Sequence, residues 1–354
     1  MLANTLHLRG TSLLCASRRA QASLISSSST TAQPTFGIAF DIDGVLIRGG
    51  KQLPRARRVL QGLRENNVPH IFLTNGGGCM ENDKAANLSN ILDLQIDPKH
   101  MVLSHTPMRE IASVYGDKRV LIMGSHDVYT VANQYGFKKV VSVKDFTHHH
   151  PTQYPFHKYE HKPAPFHGEP VDAIIIMHDP IDWAPEIQVA VDVLIGGDPP
   201  GSGRPCGTQT PLFVSNDDFV FSGAYPFPRF AQGAFTKCLT LLYEERTGKR
   251  LEVTRYGKPH NVTYNYAENL LNQIAGRDAS NKLTSIYGIG DNPHADIQGA
   301  NNAGAHWSSI LVKTGIFDGL TNPEHVPDVI SDCVFEAIKH IYERERLDAS
   351  TLQE

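Results

Sequence analysis

Several classes of protein are excluded by what the sequence lacks. The 354-residue chain contains no run of eighteen or more apolar residues, so no transmembrane helix is expected. It has no basic stripe, and its formal net charge of -4 argues against a partner made of nucleic acid. Its five cysteines are scattered without C-x-x-C spacing, which indicates neither a disulfide framework nor a zinc site. The remaining composition, 40% hydrophobic and 20% charged, is typical of a soluble enzyme of about two domains.

The beginning of the chain lacks acidic residues altogether. Before the first carboxylate, Asp41, it carries three arginines (Arg9, Arg18 and Arg19) and a Ser/Thr run over residues 26–31. An Arg-rich, Ser-rich and acid-free segment is typical of an organelle transit peptide, although a disordered tail without a targeting function has the same composition. We predict that residues 1–35 are a mitochondrial transit peptide and that the protein acts in mitochondria, in the matrix.

Strand-like and helical stretches alternate from Phe36 onward, which predicts an α/β fold with a mostly parallel sheet. The predicted strands are 36–40, 70–73, 120–123, 171–177 and 283–287, and the predicted helices are 54–66, 83–92, 106–115, 184–194, 234–245 and 261–274. Residues 145–170 contain six of the seventeen histidines and five prolines, and we interpret them as a long inserted loop. Residues 199–211, rich in Gly and Pro, predict a second loop.

Two carboxylates follow the first predicted strand directly, in the segment Asp41-Ile42-Asp43-Gly44. Side chains at i and i+2 of an extended segment point the same way, and ligands of open parallel sheets bind at the carboxyl ends of strands. Two acids this close repel each other unless a cation lies between them or one of them holds a proton, and Mg²⁺ prefers oxygen ligands. A calcium-loop fragment or an ordinary turn would show the same short pattern.

Three further polar segments also follow predicted strands. Thr74-Asn75-Gly76-Gly77-Gly78 could bind an anion or form a flexible turn, and Lys258 could serve the site or be a solvated surface charge. Asp291 and Asp296 lie five residues apart across a turn, where they could bind a divalent metal or cap a helix. If the strands are neighbours, all four segments meet at one edge of the sheet.

Taken in this order, the four segments resemble the motifs of the haloacid dehalogenase superfamily, over a region from about Phe36 to Val329. The long stretch between Asn75 and Lys258 is similar to the large α/β cap (type C2) of subfamily IIA, the NagD and nitrophenylphosphatase group. Residues 74–78 and 226–233 resemble the cat-eye-syndrome critical-region protein 5 branch of that group. The chain has glycines where most relatives have a second Asn and a Ser or Thr after Thr-Asn, so the resemblance does not assign their substrates to it.

The resemblance implies a Rossmann-like parallel-sheet core with an inserted C2-type cap. It divides the chain into a catalytic core at residues 36–117 and 234–354 and a cap at residues 118–233. It further implies a phosphatase of small phosphate monoesters. Similar proteins form dimers through the cap, and a homodimer of this kind is a hypothesis for this chain as well.

The resemblance also assigns roles to single residues. It makes Asp41 the nucleophile that forms an aspartyl-phosphate and Asp43 the general acid and base. Mg²⁺ would be bound by the Asp41 carboxylate, the Asp43 backbone carbonyl, Asp291 and Asp296. The transferred phosphoryl group would be bound by the following residues: Thr74, Asn75, Gly76 and Lys258.

Two other functions stay open at this point. One is a binding or scaffold protein that keeps the fold with little turnover, and the other is a phosphatase of a mitochondrial lipid phosphate. The cap should select the substrate, and residues 216–218 and 225–229 are its candidate contacts.

Overall fold

The computed structural model describes residues 33–125, 127–197, 207–221, 225 and 227–352. The chain divides into two compact units, Met1–Gln33 and Pro34–Glu354, and apart from Gln33 all described residues belong to the second. The predicted transit peptide therefore lies almost entirely outside the described residues.

A six-stranded sheet forms the first layer of this unit, and all of its pairings are parallel. In spatial order its strands are Val329–Ser331, Trp307–Val312, Ser285–Gly290, Phe36–Phe40, His70–Leu73 and Met101–Val102. The first strand is buried at every position because helices cover both faces of the sheet. One face is covered by Ala56–Glu65, Glu81–Leu92 and Val334–Glu345, and the other by Asn261–Ile274 and Gln298–Ala303.

A second parallel sheet has five strands, and it too lies between two layers of helices. In spatial order its strands are Thr254–Arg255, Leu212–Val214, Ala173–Ile176, Arg119–Met123 and Lys139–Val141. Its helices are Val128–Tyr135 on one face and Val143–His149, Trp183–Ile195 and Gln232–Thr247 on the other. The prediction of an α/β fold with a Rossmann-like core and an α/β cap is confirmed.

The second sheet and the helices that cover it, here called the second layer, include more of the chain than the predicted cap of residues 118–233. Phe235, Leu239 and Tyr243 of the helix Gln232–Thr247 pack into its core, and Thr254–Arg255 adds a strand to its sheet. At the other end, Met108 and Ile111 pack on its opposite face. The expected boundary at Gly233 divides a packed layer, and we propose that the cap continues to Arg255.

Most predicted elements of the core are confirmed within two residues, whereas the predicted loop at residues 145–170 is partly wrong. A helix occupies Val143–His149, because Ser142 and Asp145 form a reciprocal capping box. The chain from 150 to 172 has no regular element, and of the predicted loop at 199–211 only residues 207–211 are described. Residues 106–115 are a 3₁₀ turn followed by one short α-helical turn.

Two short antiparallel ribbons complete the fold. Ile47–Arg48 pairs with Lys51–Gln52 directly after the Asp41 segment, and Val220–Phe221 pairs with Arg229–Phe230 in the cap. Among the described residues, no helix is both long and apolar enough to span a membrane.

The extended cap boundary can be tested with Phe235→Ala. Phe235 is fully buried, and the loss of such a ring costs about 3–5 kcal/mol of stability. Because its neighbours belong to the second layer, amide hydrogen exchange should accelerate in Arg119–Met123 and Ala173–Ile176. Exchange in Phe36–Phe40 should stay slow. The matched variant Ile338→Ala, in the first layer, should show the opposite pattern, and equal acceleration of both sheets in Phe235→Ala would contradict the boundary.

Candidate active site

The four predicted segments converge on one cavity of about 450 Å³. Three of them follow strands of the first sheet, and Lys258 follows Thr254–Arg255 of the second sheet. It is lined from the core by Asp41, Asp43, Thr74, Lys258 and Asp291, among others. The strands Phe36–Phe40, His70–Leu73 and Ser285–Gly290 are immediate neighbours, so their carboxyl ends lie side by side. The Asp41, Thr74 and Asp291 segments therefore share one edge of the first sheet, as expected, whereas Lys258 reaches the cavity from a strand of the second sheet.

A buried ion triplet occupies the floor of the cavity. The Lys258 ammonium donates to Asp41 Oδ1 and to Asp296 Oδ1, at 2.6 Å in each case. Burial lowers the pKa of Lys258, but the Asp296 and Asp41 carboxylates outweigh it and raise this pKa above its usual range. Lys258 is thus a fixed positive charge against the oxygen of Asp41.

Asp291 is held next to this triplet by backbone groups. Its Oδ2 accepts a hydrogen bond of 2.6 Å from the N–H of Ile316. The chain can come this close because residue 315 is glycine: a Cβ there would lie 1.8 Å from Asp291 Oδ2. Burial, followed by the Asp296 carboxylate, raises the pKa of Asp291 to about 7.

The donor set at this point fits a divalent cation. One carboxylate oxygen each from Asp41, Asp291 and Asp296 lies within 4.8 Å of the others, and all three residues are buried. Three carboxylates against one ammonium leave an excess of negative charge, and burial and the neighbouring acids raise the pKa of Asp41. A Mg²⁺ ion with oxygen ligands would compensate that excess, so the predicted metal residues suit the group.

Asp43 has a different environment from Asp41 although both line the cavity. Its side chain is 54% exposed and lies 3.9 Å from the Lys84 ammonium. A carboxylate in contact with solvent can exchange protons with a ligand and with water, whereas Asp41 is almost inaccessible. Sequence reasoning missed Lys84, which lies inside the helix Glu81–Leu92 rather than at a strand end.

The glycine turn after His70–Leu73 is partly engaged in internal hydrogen bonds. The N–H of Gly76 donates to Thr74 Oγ1 at 3.0 Å, which leaves the hydroxyl hydrogen of Thr74 available to an anion in the cavity. The Asn75 side chain donates to the Lys258 carbonyl and accepts from the Lys258 N–H, at 3.0 and 2.7 Å. Asn75 therefore positions the backbone of Lys258 and also lines the cavity, and its assignment to phosphate binding stays a prediction.

The cap supplies the opposite wall of the cavity. Asn216 Nδ2 donates to the Asn75 carbonyl, and Asp218 accepts from Asn75 Nδ2 at 3.0 Å. Of the predicted contacts at residues 216–218, Asn216 and Asp218 line the cavity. His178 and Asp179 line it too, and they were missed although they follow the strand Ala173–Ile176. The rule that polar residues follow strand ends, applied to the cap, would have found them.

The described residues of the other predicted cap contact, 225 and 227–229, do not line the cavity. Tyr225 and Phe227 are exposed, and the Arg229 guanidinium stacks on the Tyr225 ring at 4.5 Å. None of these three lines the cavity, whereas Phe221 of the same ribbon does. Arg229 is thus a surface residue of the described structure.

Comparison with known proteins identifies the family. A model described as haloacid dehalogenase-like hydrolase matches residues 38–138, and a HAD-hydrolase-like model matches residues 255–337. A mitochondrial hydrolase of Saccharomyces cerevisiae is 33% identical over 89% of this chain and 97% of its own length. The chain therefore belongs to the haloacid dehalogenase-like hydrolases.

The chain is also similar to a second curated protein and to a solved structure. A cardiolipin synthase (CMP-forming) / mitochondrial hydrolase fusion protein of Schizosaccharomyces pombe is 36% identical over 88% of this chain; the chain spans about half of it (54%). The solved p-nitrophenyl phosphatase of Archaeoglobus fulgidus has the same fold, with a TM-score of 0.61, 17% identity and coverage of 86% and 98% of the two chains. The narrower branch within subfamily IIA stays a prediction.

Two adjacent cap carboxylates provide a test of the electrostatics. Burial raises the pKa of Asp218 to about 6. The contribution of this carboxyl to the free energy of unfolding is therefore complete below its pKa in the unfolded chain and is lost as the pH rises through 6. Asp218→Asn should therefore gain stability over the wild type between about pH 4 and 6, reaching about 3 kcal/mol above pH 6. Urea unfolding from pH 5 to 8 measures this difference.

Asp217→Asn is the matched control, with the opposite sign. Burial raises the pKa of Asp217, but His260, 2.7 Å away, and Arg255 outweigh it and lower this pKa. A lowered pKa contributes stability above the unfolded value, so this variant should be less stable than the wild type throughout pH 5–8. If both variants shift stability in the same direction, the assigned environments are wrong.

Proposed function

We propose that this protein is a Mg²⁺-dependent phosphatase that hydrolyses a small phosphate monoester through an aspartyl-phosphate in mitochondria. The observation that carries the proposal is the buried Asp41 carboxylate, held 2.6 Å from the Lys258 ammonium at the floor of a cavity with two further buried acids. The family supports hydrolysis, and the solved relative of the same fold is named a p-nitrophenyl phosphatase.

In the first step, an oxygen of Asp41 attacks phosphorus and the bond to the leaving oxygen breaks. Asp43 gives its proton to that oxygen, so that a neutral alcohol leaves. Lys258 neutralises charge on Asp41 and on the phosphoryl oxygens, and the Thr74 hydroxyl donates to one of them. Mg²⁺ bound by Asp41, Asp291, Asp296 and the Asp43 carbonyl would supply positive charge for these oxygens.

In the second step, Asp43 takes a proton from water, and the resulting hydroxide attacks the phosphorus of the aspartyl-phosphate. The bond between Asp41 and phosphorus breaks, phosphate leaves and Asp41 is restored. The exposure of Asp43 fits this exchange of a proton with water, and the burial of Asp41 keeps bulk solvent from its carboxylate.

Substitution of the two carboxylates should separate these steps. With 4-nitrophenyl phosphate and Mg²⁺, Asp41→Asn should release no nitrophenolate above background. Asp43→Asn should still release a burst, because nitrophenolate leaves without a proton, and then turn over about 10²–10⁴-fold more slowly than the wild type. Rapid-mixing absorbance measures both phases.

The control is Asp117→Asn, which is the same isosteric substitution at an exposed acid paired with Lys138. This variant should keep normal turnover. Near-normal activity of Asp41→Asn would refute the mechanism. Absence of turnover in the wild type itself, across a panel of phosphate esters, would instead favour a binding protein.

The mitochondrial location is supported by the acid-free residues 1–35 and by relatives named as mitochondrial hydrolases. Import of a reporter protein fused to residues 1–35 into isolated mitochondria checks it, and exclusion of the fusion would count against it.

A lipid phosphate is a second candidate substrate, and one observation favours it. The Schizosaccharomyces pombe relative joins a mitochondrial hydrolase to a cardiolipin synthase in one chain, and joined enzymes often act on the same class of compound. If this holds here, kcat/KM for a phosphatidyl-type monoester in detergent micelles should exceed that for glycerol phosphate by at least tenfold. Phosphate release measures the ratio, and a ratio below one would reject the lipid candidate.

A further inference from the structure

A second group of metal-ligating side chains lies on the surface beside the catalytic turn. It consists of His294, Glu324 and His325, and one ligand atom of each lies within 4.8 Å of the others. His294 belongs to the turn Pro293–Ile297, between the two acids Asp291 and Asp296. Glu324 and His325 come from the loop that follows the strand Trp307–Val312.

One distance in this group suits two ligands of a common ion better than a strong ion pair. His294 Nε2 lies 3.5 Å from Glu324 Oε2, too far for a good hydrogen bond. Two ligands of a tetrahedral zinc ion, each about 2.0–2.2 Å from the metal, are separated by about 3.3–3.6 Å. The His294 and His325 rings meet edge to face, with centroids 5.4 Å apart, so they do not block one another by stacking.

The backbone on both sides of the group is held in place. The His294 N–H donates to Asn292 Oδ1 at 3.0 Å, in the turn that begins after Asp291. On the other side, Asn301 Nδ2 donates to the carbonyl of Val326 at 2.9 Å. The three side chains are therefore presented from anchored segments, which lowers the entropic cost of binding one ion.

The surface exposure of the group agrees with a ligand site more than with a structural ion pair. The side chains of His294 and Glu324 are 63% and 73% exposed, and a pair of this kind contributes little to stability. Two imidazoles and one carboxylate are, by contrast, a donor set that zinc binds in proteins with a fourth position open. Nitrogen ligands favour zinc over Mg²⁺, so this group and the all-oxygen group around Asp291 differ in metal preference.

We propose that His294, Glu324 and His325 form a peripheral site for a divalent transition metal, with Zn²⁺ as the best-fitting ion. A metal there links the turn between Asp291 and Asp296 to the loop at residues 324–325. It would hold in place the segment that carries two of the three buried carboxylates. The site does not depend on the proposed phosphatase activity.

The test measures Zn²⁺ binding to the full-length, tag-free chain in excess Mg²⁺, by competition with a chromophoric chelator. His294→Ala and His325→Ala should each lose one equivalent of the zinc bound by the wild type. Loss of an outer-shell partner costs about 10–100-fold in metal affinity, so loss of a direct ligand should weaken binding by at least about 100-fold. Zinc at other positions, including residues 145–170, should be equal in all variants.

The matched control is His340→Ala, which removes a histidine of the helix Val334–Glu345 outside this group and should keep the full zinc stoichiometry. Zn²⁺ should also raise the midpoint of thermal unfolding of the wild type and of His340→Ala by more than that of His325→Ala. Glu324→Gln keeps the shape of the side chain and should weaken binding without a change of fold. Identical zinc stoichiometry and affinity in all five proteins would overturn the proposal.

Discussion

The structure depends most on the contact of one ammonium with two buried carboxylates. Lys258 lies 2.6 Å from both Asp41 and Asp296, and these residues come from three distant parts of the chain. A lysine buried to this extent is stable only when it is paired, and each of these carboxylates would be costly without it. The strands Phe36–Phe40 and Ser285–Gly290 must therefore pair in one register to bring the charges together.

The negative charge of Asp291 is stabilised by the backbone around it. Asp291 is the buried acid that Lys258 does not contact directly, and its stabilisation comes from the Ile316 N–H instead. That contact requires glycine at position 315, since any side chain there would occupy the carboxylate's position. The loop that follows Trp307–Val312 is thus part of the site, although it contributes no catalytic side chain in the proposed mechanism.

Much of the catalytic edge could be predicted because it follows one simple rule. Asp41, Thr74 and Asp291 each come directly after a buried strand, and the parallel order of the strands brings them together. Lys258 also follows a strand, but that strand, Thr254–Arg255, belongs to the second sheet. Lys258 thus lies at the cavity, as expected, but the strand before it belongs to the second sheet and not to the catalytic core to which the sequence assigned it.

One strand that the sequence pattern did not predict is stabilised by side chains from outside it. The strand Trp307–Val312 has two serines in its centre, which weakens the apolar pattern of a buried strand. Ser309 is nevertheless fully buried, because its hydroxyl donates to Asn301 Oδ1 and its N–H donates to Asp328 Oδ2. Such compensation involves residues 8 and 19 positions away, and no local pattern reveals it.

Asn75 shows how closely the cap and the catalytic edge are coupled. Its side chain fixes both backbone groups of Lys258 and donates to Asp218, while its carbonyl accepts from Asn216. A displacement of residues 216–218 away from the core must break two of these hydrogen bonds, and the buried amide then loses a partner unless water replaces it. Asn75 thus hydrogen-bonds both to Lys258, the partner of Asp41, and to the cap. Its side chain is short, so it can make both sets of hydrogen bonds only when Lys258 and residues 216–218 both lie within hydrogen-bond distance of it. Closure of the cavity and placement of the nucleophile's positive partner are, for this reason, parts of a single hydrogen-bond arrangement.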